Sequence, residues 1–323
     1  MLHDLFYASK ARAPQLSMRF KFLTLAAAMI LSATPAWGWD DEGHMMVAAV
    51  AWDHLGDASR ARVTALLKLN PDYATWIVDT TLKERDEIAF MRAATWADAI
   101  KSEAGYENDG NRPEGPDAAQ NIGYADHLQH RYWHFIDLPL STDGTAGHPP
   151  ATPNVQTQIH AFTAAIGSHD LSDDIKSYDL VWLEHLVGDA HQPLHATSRF
   201  SRSLPRGDQG GNLVALCARP CHDELHYYWD DILGTSRTAA AALTEAARLP
   251  VPSPAAAAIA DESVWIRESF DAARRYAYAA PIGDGPGPYS LDSRYREAAL
   301  AEARERVVLA GIRLANLINS TII

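Results

Sequence analysis

Helical periodicity constrains the fold of this chain more than any other feature of the sequence. Apolar residues recur at three- and four-residue spacing in eight stretches: 43–55, 57–69, 84–101, 157–166, 178–190, 225–233, 263–278 and 293–318. No strands alternate with these stretches and no glycine-rich phosphate loop is present, which disfavours a parallel-sheet nucleotide fold. We therefore predict a single, mainly α-helical domain over 39–323, with a polar surface loop at 102–129 and one small β-hairpin within 202–224.

The first 38 residues have the pattern of a secretory leader. A short basic start at Met18 precedes an uncharged run of about ten residues, and Ala36 and Gly38 are small residues at the −3 and −1 positions. A run this short does not span a membrane. We expect cleavage before Trp39 and a secreted or periplasmic protein with no membrane insertion; the alternative is an amphipathic N-terminal helix.

Charge and cysteine content limit the class of protein. The net charge of −13 argues against tight, non-specific binding of duplex DNA, which requires many basic phosphate contacts. Catalysis on nucleic acid is compatible with this charge, because a site with several metal ions makes its own positive field. Cys217 and Cys221 can pair in an oxidising compartment and close a small loop. A cysteine metal site would need a second pair, which the chain lacks.

A histidine-rich segment at 185–195 carries the strongest local signal. His185 and Asp189 are four residues apart, so on a helix they face the same way and can hold one ion together. Pro193 then ends or bends the helix and directs His195 towards a different, nearby point. The alternative is a buried His–Asp pair without a metal.

Further histidines and acids extend this pattern. His226 and Asp230 repeat the four-residue spacing, with His222 one turn earlier as a competing candidate. Asp98 closes a helix, and His134 follows the long loop. Each residue alone is more typical of a cap, an ion pair or a core position. Together they supply nitrogen and oxygen ligands with no thiolate, a set that suits zinc at a hydrolytic site.

The expected cleavage would add an unusual ligand. A free α-amino group at Trp39 has a reference pKa of about 7.7–8.0, so a metal can deprotonate it near neutral pH. The amine and carbonyl of Trp39 can chelate one ion, with His44 as a further ligand.

Taken in order, these motifs resemble those of the S-one/P-one nuclease family, whose members are zinc nucleases distantly similar to bacterial zinc phospholipase C. The matching segments are 39–44, 96–98, 133–137, 185–195, 210–212 and 225–230. The resemblance implies an all-α phospholipase C/P-one nuclease-like fold and three zinc ions. It assigns ligands to the first, second and third zinc in turn: Asp98, His134, His185 and Asp189; then His195, His226 and Asp230; then Trp39, His44 and the shared, bridging Asp189. His222 is then a neighbour, and His191 is either close to the ligands or exposed.

The resemblance also implies residues that contact substrate. Phe135 and Asp137 resemble the nucleobase pocket, in which a ring stacks on the base and a carboxylate accepts from its edge. Such stacking contributes about 1–3 kcal/mol and tolerates different bases. Lys101 and Asn212 resemble residues that contact the scissile phosphate. The alternatives are a core phenylalanine, a solvated aspartate and a surface lysine.

The implied reaction is hydrolysis of single-stranded DNA and RNA to 5′-phosphorylated products, with 3′-nucleotides as further substrates. Asp98, Asp189 and Lys101 are the catalytic candidates, and no stable protein partner is implied. Single strands are favoured because an unpaired base leaves its stack at least cost. A zinc phospholipase C is the main alternative, but Asp230 replaces the glutamate of that type. A zinc-scavenging protein without turnover is a second alternative, but it needs no base pocket.

Overall fold

The structure is a computed structural model that describes residues 38–110, 126–217 and 223–322, all within one compact unit. The α-helices in these ranges are α1 (Asp41–His54), α2 (Asp57–Leu67), α3 (Tyr73–Trp76), α4 (Arg85–Ala93), α5 (Trp96–Ala99), α6 (Val155–Ile166), α7 (Asp173–Asp189), α8 (Leu225–Asp231), α9 (Ala239–Ala246), α10 (Pro254–Ala257), α11 (Glu262–Ala272) and α12 (Ser293–Thr321). Short 3₁₀ turns lie at Ile100–Ser102, Arg131–Trp133 and Pro193–Ala196, and a π-turn at Ala273–Ala277 extends α11. The predicted mainly α-helical fold is confirmed.

Two helices, α1 and α7, form the centre of the core. Burial is continuous from Glu42 to Ala51 in α1 and from Lys176 to Asp189 in α7, so neither helix has a solvent-facing side along these stretches. Helix α12 packs along α1, α6 packs along α7, and α11 covers the Pro193–Ala196 turn. Among the helices that the structure describes, none is both long and apolar enough to cross a bilayer. His44 of α1 and both His185 and Asp189 of α7 lie within the buried stretches of these two helices.

A two-stranded parallel sheet joins two segments that bear candidate site residues. Strand β1 (Pro139–Ser141) pairs with β2 (Ser198–Phe200), with Leu140 opposite Arg199. The pairing continues towards the site, because the Ile136 N–H donates to the His195 carbonyl at 2.8 Å. The segment that contains Phe135 is thereby held beside the turn that contains His195.

In the described part of the predicted 202–224 hairpin, the pairing is shorter than expected. It consists there of an antiparallel bridge between Ala215 and Glu224, and the Leu225 N–H donates to the Val214 carbonyl at 2.9 Å. The preceding glycines explain the difference, since Gly207, Gly210 and Gly211 all have positive φ values and turn the chain repeatedly. Cys221 and His222 lie outside the described residues, so the Cys217–Cys221 disulfide stays a prediction.

Helix boundaries differ from the predicted ones in two respects. The predicted helix at 84–101 is interrupted after α4, where the Thr95 hydroxyl donates to the Arg92 carbonyl at 2.9 Å and the chain turns before α5. Helices α3, α9 and α10 were not predicted, because each is at most eight residues long and too short to show a repeated apolar spacing. Residues 1–37, which hold nearly all of the predicted leader, lie outside the described residues.

A buried histidine joins the two described ends of the 102–129 loop. His130 Nε2 lies 2.6 Å from Asp126 Oδ2, and its Nδ1 lies 3.2 Å from Asp109 Oδ2. The imidazole also stacks on Trp133, with ring centroids 3.6 Å apart. Residues 111–125, between these ends, are outside the described part of the chain. The loop is thus fastened to the core next to the segment that carries His134.

Candidate metal centre

The C-terminal end of α7 provides the middle of the site. His185 and Asp189 are fully buried and face the same way, as their spacing predicts. The His185 Nδ1–H donates to the Ala94 carbonyl at 2.8 Å, which leaves the lone pair of Nε2 directed into the protein. That Nε2 lies 3.2 Å from Asp189 Oδ2. The helix therefore presents an imidazole nitrogen and a carboxylate to one point.

Asp98 and His134 join this point from two other elements. His134 Nδ1 lies 3.0 Å from His185 Nε2 and 2.9 Å from Asp189 Oδ2. Asp98, in α5, places Oδ1 3.6 Å from His185 Nε2. Ligand atoms of Asp98, His134 and His185 all lie within 4.8 Å of one another. The structure thus brings together the four residues predicted for the first ion.

His44 of α1 forms a second buried group with the same α7 residues. Its ring stacks on His185 with centroids 3.9 Å apart, and its Nε2 lies 3.4 Å from Asp189 Oδ1. Trp39 is fully buried beside this group, and its indole N–H donates to the Gly188 carbonyl at 3.1 Å. The start of the predicted mature chain is therefore anchored one residue before Asp189.

The third buried group lies where the Pro193–Ala196 turn meets α8. The Nδ1–H groups of His195 and His226 donate to the carbonyls of His134 and Gly210, each at 2.7 Å. Their Nε2 atoms lie 3.2 Å apart, so two lone pairs face each other. Asp230 Oδ2 lies 3.6 Å from His226 Nε2. These are the three residues predicted for the second ion.

The geometry of all three groups fits bound cations. Several buried atoms have no hydrogen-bond partner: both ring nitrogens of His44, Nε2 of His134 and Oδ1 of Asp189. Unpartnered buried acceptors and opposed lone pairs are costly unless a cation lies between them. The Nδ1–H groups of His185, His195 and His226 donate to backbone carbonyls, which is the usual arrangement for metal-bound imidazoles. The donor set of nitrogen and oxygen without sulfur suits zinc.

Electrostatics favour the protonation states that a metal requires at His44, His134 and Asp98. Burial lowers the pKa of His134 to about 3, and the nearby Lys101 ammonium acts in the same direction. Burial also lowers the pKa of His44, assisted by His185. Burial alone would raise the pKa of Asp98, but Lys101 and His185 outweigh it and hold that pKa well below its usual range. Neutral imidazoles and an ionised carboxylate are the forms that bind metal. Burial alone would lower the pKa of His185, but Asp189 and Asp98 outweigh it and raise that pKa, and burial raises the pKa of Asp230.

The residues expected to contact substrate lie around these groups. Lys101 is buried, with its Nζ 2.5 Å from Asp98 Oδ1, so it is not the surface lysine of the alternative interpretation. Phe135 and Asp137 are partly exposed. Asn212 is partly exposed, and its side-chain amide donates to the Gln209 carbonyl at 2.7 Å.

Two residues of the site were not assigned a role from the sequence. The Gln192 amide donates to Asp230 Oδ1 at 2.7 Å and so orients that carboxylate. The signal was available, because Gln192 lies within the 185–195 motif. Gly188 lies against the His44 ring, where a Cβ would come 2.8 Å from Nδ1. The sequence left two locations possible for His191, close to the ligands or exposed, and the residue is fully buried.

An all-α frame that gathers three buried His/Asp groups around the end of one helix defines a candidate metal-dependent hydrolase. The family model S1/P1 Nuclease matches residues 39–322, and the chain belongs to that family. It is therefore a nuclease, a hydrolase of phosphodiester bonds in nucleic acid, and the predicted family is confirmed.

Three curated relatives named as endonucleases match this chain over most of their length. Endonuclease 3 of Arabidopsis thaliana is 26% identical over 87% of this chain and 88% of the relative. Endonuclease 5 of the same plant is 29% identical over 87% of this chain and 89% of the relative. Endonuclease 2 of the same plant is 22% identical over 95% of this chain and 98% of the relative.

Proposed function

We propose that the protein is an exported zinc nuclease that cuts single-stranded DNA and RNA to 5′-phosphorylated products and acts on 3′-nucleotides. The observation that carries the proposal is the position of Asp189 between two groups. Its Oδ1 faces His44 at 3.4 Å, and its Oδ2 faces His134 at 2.9 Å. A carboxylate in this position can be shared by two ions, as the bridging role requires.

The proposed ligands of the three zinc ions are Trp39, His44, Asp98, His134, His185, Asp189, His195, His226 and Asp230. Bound zinc would lower the pKa of a coordinated water towards about 7 and offset negative charge on the phosphate. In a chain with a net charge of −13, attraction for phosphate must come from the site itself. Lys101 is suited to this role, because its buried ammonium lies beside the metal groups.

Export and leader removal belong to the same proposal. Gly38 lies directly against the site, since an ideal Cβ at this position would overlap Asp189 Oδ1. Cleavage before Trp39 would remove this residue and expose the α-amino group at the same place. The Asp40 N–H donates to the Asp230 carbonyl at 3.0 Å, which would keep the new N-terminus in position. N-terminal sequencing and intact mass of the exported protein should find Trp39 first.

Substrate selection rests on Phe135 and Asp137. A base that stacks on Phe135 and donates to the Asp137 carboxylate must first leave its own stack, and this costs least in a single strand. The backbone hydrogen bond from Ile136 to His195 keeps this segment next to the group formed by His195, His226 and Asp230. Cleavage and base binding would then involve neighbouring parts of one rigid unit.

The proposal is tested with protein that begins at Trp39, loaded with zinc or treated with a chelator. Acid-soluble nucleotides should be released from single-stranded DNA and RNA, more slowly from duplex, and the chelator should abolish release. Asp189→Asn should remove activity, whereas Asp174→Asn, at the exposed start of the same helix, should not. Phosphatidylcholine is assayed in parallel. Headgroup release without nucleotide release would replace the nuclease proposal with the phospholipase alternative.

A further inference from the structure

Two buried arginines lie behind the metal centre, away from any expected substrate contact. Arg306 and Arg313 of α12 are 3% and 1% exposed. Both pair with Glu268 of α11: Arg306 Nη1 lies 3.0 Å from Oε2, and Arg313 donates to both carboxylate oxygens at 2.7 and 3.0 Å. Burying two guanidinium groups is costly, and such groups contribute through the geometry they impose.

That geometry is imposed on the turn that follows α7. Arg306 Nε donates to the His191 carbonyl at 3.3 Å, and Arg306 Nη2 donates to the Ser269 hydroxyl at 2.8 Å. The Ser269 hydroxyl in turn donates to the Ala190 carbonyl at 2.6 Å. Carbonyls at the end of a helix lack partners within the helix. Here the carbonyls of Ala190 and His191 accept hydrogen bonds from side chains of α11 and α12, respectively.

The side chain of His191 is fixed in the same way. Arg313 Nη1 donates to His191 Nε2 at 2.9 Å, and because arginine only donates, Nε2 must be the acceptor. The Nδ1–H of His191 then donates to the Val187 carbonyl at 2.8 Å, back into α7. Both the backbone and the side chain at position 191 are therefore anchored.

The anchored turn connects the proposed metal ligands at the end of α7 to those that follow it along the chain. Asp189 precedes it and His195 follows it. Within it, Gln192 accepts from the Leu194 N–H at 2.5 Å and donates to Asp230. A displacement of residues 190–192 would move ligands of all three groups relative to one another.

We propose that Arg306, relayed through Ser269 and supported by Arg313 and Glu268, is a positioning residue that sets the relative placement of the metal ligands on both sides of this turn. The proposal rests on the proposed zinc function. Groups that hydrogen-bond directly to metal ligands typically change metal affinity about 10- to 100-fold when removed. Arg306 acts on the backbone that connects such ligands, through the His191 carbonyl and Ser269.

The test compares zinc affinity of Arg306→Lys, Ser269→Ala and Arg304→Lys with that of the unmodified protein beginning at Trp39. Zinc binding is measured by competition with a chromophoric chelator, and thermal unfolding is recorded with and without zinc. Arg306→Lys keeps the charge but not the forked contacts, so affinity should fall about 10- to 100-fold. Ser269→Ala, which leaves every charge in place, should cause a smaller fall. Arg304→Lys, on the outside of the same helix, is the matched control.

A purely structural role would lower the unfolding temperature of metal-free and zinc-loaded protein equally and leave zinc affinity unchanged. That result in Arg306→Lys, or in Ser269→Ala if the first variant does not fold, would overturn the inference. If the unmodified protein binds no zinc, the proposed function itself is wrong, and this inference is rejected with it.

Discussion

Replacing Gly188 with alanine isolates the contribution of His44 to the metal centre. Gly188 lies in the last turn of α7, and an added Cβ would come 2.8 Å from His44 Nδ1 and 3.1 Å from Cε1. Ordinary contact begins at 3.4 Å, so the ring must retreat by about 0.6 Å. Metal–ligand distances tolerate only about 0.2 Å, so His44 should lose its place in the coordination sphere.

The stability of the metal-free variant should change little. Alanine in a helix interior is favoured over glycine by about 0.5–1 kcal/mol, while crowding in a packed core costs about 1–3 kcal/mol. The net loss in the free energy of unfolding is therefore about 0–2.5 kcal/mol. Zinc affinity of the site with His44 should fall at least about tenfold, and nuclease activity at limiting zinc should fall about 10- to 100-fold.

Zinc content, zinc competition and single-strand hydrolysis are measured on Gly188→Ala and on Gly167→Ala. Gly167 ends α6 and offers a matched control, since its added Cβ would come 2.7 Å from the Thr321 methyl group, outside the metal centre. The control should lose some stability and keep full zinc content. Three zinc ions bound as tightly to Gly188→Ala as to the unmodified protein, with full activity, would refute the assignment of His44 as a ligand.

Three further outcomes are expected. Lys101→Met should lower kcat about 10²- to 10³-fold in zinc-loaded protein, because it removes a fixed positive charge at the phosphate; unchanged kcat would exclude that role. Zinc at a thousandfold excess over its dissociation constant should raise the free energy of unfolding by about 4 kcal/mol per site, and equal unfolding temperatures with and without chelator would contradict binding. Burial alone would lower the pKa of His130, but Asp109 and Asp126 outweigh it and raise that pKa. The stabilisation that His130 contributes is full below about pH 6.5 and is lost as pH rises through the raised pKa. In urea unfolding with a zinc chelator present, His130→Gln should therefore be less stable than the unmodified protein by a larger margin at pH 6 than at pH 9.

The sequence predicted which histidine and aspartate side chains lie together better than it predicted the elements around them. His185 with Asp189, and His226 with Asp230, follow helical spacing, and each pair was found on one helix face, as the spacing alone requires. The approach of Asp98, His134 and Trp39 to His185, Gly188 and Asp189 depends on contacts between distant segments. For these the family resemblance, and not periodicity, supplied the prediction.

The features that were missed share a physical cause. The break between α4 and α5 depends on a side-chain hydroxyl that competes for a backbone carbonyl, and the short hairpin depends on glycines with positive φ. Neither effect changes the pattern of apolar residues. Arg306 and Arg313 are similarly invisible in a sequence, because an arginine on a long amphipathic helix is most often exposed.

The backbone hydrogen bond between Ile136 and His195 links the segment of the proposed base pocket to the turn that carries a proposed metal ligand. A base held on Phe135 and a phosphate held near His195 would be linked through a short stretch of backbone that includes this hydrogen bond of 2.8 Å. The position of the bound base, and not the distance from either end of the strand, would then determine which phosphodiester bond is cut. The proposed cleavage of a polymer and of an isolated 3′-nucleotide would then depend on the same backbone connection, so both activities would be lost together if this connection were loosened.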